Sequence, residues 1–450
     1  MQIRVALPND TVNRYPVDDG VSYYGVLADV LIPGRGEAQK NGALVVKDSI
    51  IEWVGPKDEI PSKYSSTRFS RVPVLMPGMW DAHTHFEGAH VAVGIHDSVK
   101  YFMPGTSALI GAVIVDDLRR TLMAGFTSIR ELCGYAGDVA PAIDMGAIVG
   151  PRVYPAIGIL SMTGGHGDPQ DVPLQTVLEG CAYGSSSSFV CDGVDGCIKA
   201  VRQQIRRGAK VIKVCATGGT LSLNDQPEDT QFSPEELRAI VQEAKRSSRV
   251  VAAHAHGKPG IMAALDAGVK SIEHGVYLDE EVAAKMKEKD AILVPTRHIV
   301  EGMAAGDDDL DPRQRAKLER SIQLSRDSIK LAVKMGVKIA LGTDSFSSDR
   351  NHALAHGKNA MELRYAVEAG MTPLQAIEMA TATPPETLGP QARKSGQLKA
   401  GFDADLIAIS SNPLEDIEVL TDPDNITHVW KGGVLFKSPR DCPNEAVTRL

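Results

Sequence analysis

Six residues carry the chemistry legible in this chain: His83 and His85 in DAHTHF, Lys213 in VIKV, His254 in AHAHG, His274 in IEHG and Asp344 in LGTD. Each ends a short apolar run of the kind that forms a buried strand. Side chains alternate along a strand, so His-x-His places two imidazoles on one face. Two such nitrogens begin a metal site, and His254-x-His256 repeats the spacing. Lys213 lies inside AKVIKVCA, where an unpaired ammonium is costly to bury. Burial drives off the proton, and the freed amine could add carbon dioxide to give a carbamate whose oxygens bridge two cations. The plainer readings are a structural histidine pair and a lysine paired to a neighbouring carboxylate. A lone strand-end histidine is usually a satisfied hydrogen-bonder. Together, in this order, the six predict a two-metal, metal-dependent hydrolase.

These residues need a frame that holds strand ends together. Eight strand-like runs can be named: 76–86, 125–132, 151–158, 209–219, 249–257, 270–276, 291–297 and 337–344. Helical patterns alternate with them, over Asp195–Arg207, Gly260–Ala267, Asp279–Lys289 and Pro312–Met335, and in the segment opened by Ser233, Pro234 and Glu236. The alternation predicts an α/β fold, a TIM (β/α)8 barrel over 77–390. Short Val/Ile/Leu runs with Gly and Pro turns mark both ends, and are expected to join as one discontinuous β-sandwich domain from 1–76 and 391–450. Two stretches break the rhythm, Ser161–Gly193 and Ser345–Lys358. The first is expected to act as a lid or substrate-binding insert.

Composition narrows the partners. The 450 residues include 48 Lys and Arg against 57 Asp and Glu, a net charge of −9, which disfavours nucleic acid and anionic membranes. No apolar run approaches a membrane span; 107–115 is far too short. Residues 1–20 lack a continuous apolar core and a cleavage site, so no signal peptide is expected. Six cysteines form no metal or disulfide framework, consistent with reduced thiols and a cytoplasmic location.

The set of strand-end residues, with GQLKAGFDADLIAI and VWKGG near the C-terminus, resembles the amidohydrolase superfamily. The likeness runs from about Tyr24 to Lys437. RRGAKVIKV, FSPEELRAIVQEA, HGKPGIMAAL, MTPLQAIEMATAT and NPLEDIEVL bring it nearest the binuclear branch of Xaa-Pro/Xaa-Arg dipeptidases, imidazolonepropionase-like proteins and ochratoxinase-like amidases. The resemblance implies that His83, His85 and Asp344 hold one metal, His254 and His274 the second, and carboxylated Lys213 bridges them. Asp344 would also be general base and acid, and His256 a transition-state contact. Zinc is the expected ion, a small-molecule amide the expected substrate (an N-acyl amino acid, a dipeptide or an ochratoxin-like amide), and a homo-oligomer the expected assembly. His166 in TGGHGD and Arg297, beside His298, are candidate substrate contacts; a guanidinium can clamp a carboxylate. An ion pair with a loop acid is the competing reading of Arg297. The long loops depart from any one family member, the Ser185–Ser188 run and 351–356 above all. The competing functions are a cyclic-amide or lactone hydrolase on the same ligands, and a catalytically silent interaction protein.

Overall fold

The computed structural model describes residues 23–89, 106–183, 187–306 and 310–439. The segment read for a signal peptide, part of the Ser185–Ser188 run and Cys442 lie outside these. Strands β1 (Tyr23–Leu31), β2 (Gln39–Lys47), β3 (Ile50–Pro56) and β4 (Arg68–Pro77) come from the N-terminal part. Strands β5 (Met79–Ala89), β6 (Phe126–Glu131), β7 (Arg152–Pro155), β8 (Ile159–Ser161), β9 (Ser188–Val190), β10 (Ile212–Cys215), β11 (Val251–Ala255), β12 (Ser271–His274), β13 (Ile292–Val294), β14 (Lys338–Ile339) and β15 (Ser345–Ser347) follow. The last are β16 (Leu406–Ile409), β17 (Ile426–Lys431) and β18 (Val434–Lys437).

Both chain ends build one sheet, in the order β18-β17-β16-β4-β1-β2-β3. The join is the antiparallel pair β4–β16, in which Leu75 faces Ala408. One face packs Val26, Leu44, Val72, Leu406 and Trp430 together, and the other packs Leu27, Val45, Tyr64 and Phe69.

The middle of the chain is parallel throughout, in a seven-stranded sheet β14-β13-β12-β11-β10-β8-β9 and a four-stranded sheet β15-β5-β6-β7. Parallel neighbours need crossovers, supplied mostly by helices. The helix Pro234–Arg246 begins as expected: Ser233 accepts from the Glu236 N–H and Glu236 reaches back. Pro312–Met335 is capped by Asp311 and stopped by Gly336 at φ 68°. The two sheets are hydrogen-bonded to each other on both sides. On one side Lys210 N, just before β10, donates to Pro155 O of β7 at 2.7 Å. On the other side Ala82 N donates to Leu341 O, and Asp344 N to His83 O, each at 2.8 Å.

The stretch after the third strand is more ordered than a lid pictured as loop: it carries the helix Leu174–Tyr183 and β9. The stretch after the eighth contains β15, which pairs with β5, and His356, stacked on Phe86 at 4.0 Å. Among the described residues no helix is long and apolar enough to cross a membrane.

Candidate metal centre

The C-terminal ends of β5, β10, β11 and β12, with Asp344 beyond β14, converge in one buried cluster. Three groups of ligand-type atoms form, the atoms of each within 4.8 Å of one another: His83, His85 and Asp344; His254, His256 and His274; and, beside the first, His85, Glu87 and Cys133. The His254 and His274 rings are 4.5 Å apart and those of His83 and His274 5.1 Å, so the first two groups adjoin. Lys213, 1% exposed, reaches between them, its Nζ 3.4 Å from His83 Nε2.

Each candidate ligand histidine has one ring nitrogen tied to a protein oxygen. His83 Nδ1 is 2.9 Å from Glu273 Oε2. His85 Nδ1 is 2.9 Å from the Cys133 carbonyl, and His254 Nε2 3.2 Å from the Gly218 carbonyl. Carbonyls and carboxylates only accept, so the facing nitrogen carries a proton and the other is the one that can turn a lone pair to a cation. His274 Nδ1 is 2.7 Å from the Thr296 hydroxyl. The remaining nitrogens of His83 and His85 approach one carboxylate oxygen, Asp344 Oδ1, at 3.3 and 2.8 Å. This donor set fits divalent cations: imidazole lone pairs, a carboxylate, and a lysine whose burial disfavours its charge.

The electrostatics follow from burial. It lowers Lys213 below the ordinary lysine value, against the pull of Glu273 and Asp344. It also takes His83 to about 4 and His256 to about 3, and holds His254 and His274 well below the usual imidazole range. Burial opposes charge on His85 too, but hydrogen bonds to Asp344 and the Cys133 carbonyl outweigh it and hold this imidazole well above 6.5. Burial would raise Asp344 and Glu273; the His83 and His85 rings around one, and Arg130 and His83 around the other, bring both to about 2.

Backbone geometry aims the side chains. His274, Thr296 and Asp344 have φ of 71°, 49° and 61°. Left-handed non-glycine residues cost roughly 1–3 kcal/mol each and cluster where function demands them. At His274 the turn breaks strand alternation. Glu273 and His274, consecutive in sequence, therefore both meet His83, one by hydrogen bond and one ring to ring.

Several contributors escaped the sequence reading. Arg130, fully buried, donates to both Glu273 oxygens at 2.8 and 2.9 Å and fixes the carboxylate behind His83. Charged residues in the runs TSIREL and SIEHG were the available signal. Thr296 and the carbonyls of Cys133 and Gly218 gave none, because a carbonyl belongs to every residue.

The expected substrate contacts part company. His166 stacks on His254 at 4.2 Å and 19°, with Nδ1 3.0 Å from Ser222 Oγ. His256 joins the second trio, and its Nδ1 has no partner among the described residues. The Arg297 guanidinium is spent on Glu301 at 2.8 Å and Glu368 at 2.7 Å, and lies over the Tyr365 ring. These residues line a separate cavity with Arg326 and Lys330, to which none of the six candidate ligands contributes. His298 donates its backbone N–H to Glu362.

The family model described as "Amidohydrolase family" matches residues 74–436. The chain belongs to the amidohydrolase family. This amidohydrolase is 47% identical to ochratoxinase of Aspergillus niger over 426 residues, 92% of this chain and 86% of that protein. The crystal structure of A. niger ochratoxinase matches it with a TM-score of 0.87 at 46% identity, covering 96% of this chain and 99% of the other. A prolidase complexed with N-methylphosphonate-L-proline matches at 30% identity and a TM-score of 0.82, over 93% of this chain and 100% of its own. Imidazolonepropionase of Nocardia farcinica is 22% identical over 430 residues, 90% and 95% of the two chains. The protein is thus a hydrolase of amide-type C–N bonds.

Proposed function

We propose that this amidohydrolase cleaves the amide bond of an N-acyl amino acid, dipeptide or ochratoxin-like amide at a centre of two zinc ions. The observation that carries the reading is the ring-nitrogen pattern: four imidazoles, each tied through one nitrogen, presented beside Asp344 and a buried lysine. The frame we infer is a closed (β/α)8 barrel over 77–390, supported by the hydrogen bonds between the two parallel sheets. A composite β-sandwich domain from 1–76 and 391–450 is supported by the β4–β16 pair.

His83, His85 and Asp344 would hold one ion and His254 and His274 the other, with Lys213, carboxylated on Nζ, between them. The ions would supply a water of lowered pKa and polarise the scissile carbonyl. Asp344 takes the proton from the attacking water and returns it to the leaving amine. His256, stacked on His274 at 4.7 Å, offers its N–H to the developing oxyanion. His166, against His254, lines the substrate side. Arg297 can clamp a carboxylate only by giving up Glu301 or Glu368.

The relative named ochratoxinase and the prolidase bound to a proline phosphonate both support an amide whose product is a free amino acid. The imidazolonepropionase likeness keeps a cyclic amide as the second reading. Zinc-loaded protein should be given N-acyl amino acids, Xaa-Pro and Xaa-Arg dipeptides, ochratoxin A, lactones and cyclic imides, with products read by mass spectrometry. Cleavage of the linear amides with a free carboxylate is expected. Cleavage of rings alone would replace the proposal with the second reading.

A further inference from the structure

The loop after β10 presses against the candidate centre without contributing any proposed ligand. Residues 217–230 (TGGTLSLNDQPEDT) leave β10 and return through a bridge between Thr217 and Thr230. The Gly218 carbonyl accepts a hydrogen bond from His254 Nε2, the Thr217 hydroxyl accepts the backbone N–H of His256 at 3.0 Å, and Ser222 Oγ meets His166. A Cβ on Gly219 would lie 2.1 Å from the His166 ring, so backbone and imidazole are in direct contact.

Several side chains outside the loop bond to it, and one of them makes three of the contacts. Lys317, on the helix Pro312–Met335, is 3% exposed, and its ammonium donates to the carbonyls of Gly219 at 2.8 Å, Asp225 at 3.0 Å and Ser222. Three N–H donors meet three carbonyls of one loop. Asp225, 3.9 Å from that ammonium, accepts the Gly219 N–H at 3.1 Å, the Ser222 hydroxyl and the Gln231 side-chain amide at 3.2 Å. Gln231 in turn accepts the His166 backbone N–H at 3.0 Å. Gln314, one turn before Lys317, donates to the Leu221 carbonyl. The loop has no helix or strand of its own to keep its shape.

We propose that Lys317 is the positioning residue for the His254 half of the centre: by pinning the 217–230 loop it fixes the Gly218 carbonyl that sets the His254 tautomer, and the Ser222 hydroxyl that orients His166. This rests on the two-metal reading above. Partners that orient ligands in this way are worth about 10–100-fold in metal affinity. His83, His85 and Asp344 make no contact with the loop in the hydrogen bonds of the described residues, so the effect is one-sided.

The test is cobalt titration of metal-stripped protein, followed by d–d absorption and elemental analysis, with thermal unfolding alongside. Wild type should take two ions per chain. Lys317→Met, which keeps the stem and removes the donors, should still unfold cooperatively, bind one ion as wild type does and bind the second at least tenfold more weakly. Lys317→Gln, with one N–H₂ group retained, should fall between, and it carries the same test should Lys317→Met not fold. Two ions bound with wild-type affinity, or equal weakening of both, would overturn the role of Lys317. A wild type that binds no ion would instead overturn the two-metal reading itself.

Discussion

The two halves of the proposed centre are buried alike but built differently. His83 and His85 are surrounded by charge: Asp344 touches both, and the Glu273–Arg130 pair stands behind His83. His254 and His274 are oriented by neutral partners, a carbonyl and a hydroxyl. The charged half can hold a proton where a cation would sit, since hydrogen bonds to Asp344 and the Cys133 carbonyl outweigh burial and hold the His85 imidazole well above its usual range. The neutral half cannot, since burial and neighbouring charges keep its imidazoles uncharged. Similar ligands thus gain different sensitivities: the first half depends on ion pairs, the second on backbone placement.

The comparison breaks most visibly at Asp344. Asp344→Asn should lower kcat by about 10²–10⁴-fold with the fold kept; near-normal turnover would remove Asp344 from proton transfer. The charged half should carry the larger stability cost. Arg130→Met leaves Glu273 buried without its cation, and a broken buried pair costs about 3–5 kcal/mol. Urea denaturation of the metal-free protein measures this, and a loss under 1 kcal/mol would mean that the pair is not structural. In the neutral half, Thr296→Val keeps shape and deletes the hydroxyl on His274. One of two cobalt ions should bind about tenfold more weakly, with urea stability barely changed.

A titration away from the ligands separates scaffold from site. Glu362 lies outside both halves; burial raises its carboxyl from 4.5 to about 8, against the His298 N–H that it accepts. A raised folded value favours the protonated acid, so this contribution is complete below about 4.5 and is lost as pH climbs towards 8. Glu362→Gln should flatten the fall in unfolding free energy, read by urea denaturation, between pH 5 and 8, a fall of up to about 4 kcal/mol in the parent. Equal slopes in variant and parent would place the titration elsewhere.

The proposed ligands were legible because their residue types are scarce and their positions coincide with strand ends. The helix Pro312–Met335 was legible to the residue, since Asp311, Pro312, Gln314 and Gly336 mark both ends. Leu174–Tyr183 went unread because its surroundings are rich in Gly and Ser, although Leu174, Leu178 and Cys181 already follow helical spacing. The orientation of His274 was hidden for a different reason. Alternation puts it on the face opposite Glu273, and only the left-handed turn at that residue brings both to His83. Lys317 was unreadable because its partners are three carbonyls about 90 residues earlier in the chain.

The β4–β16 pair also has a consequence for synthesis. Leu75 leaves the ribosome about 330 residues before Ala408, its partner in the sheet. At roughly 5–20 residues per second the edge of β4 waits on the order of 15–65 s for its neighbour. During that interval the nascent chain exposes one unpaired edge of a strand carrying Val72, Val74 and Leu75. Production of this protein should therefore respond to chaperone supply and to translation speed across the middle of the message.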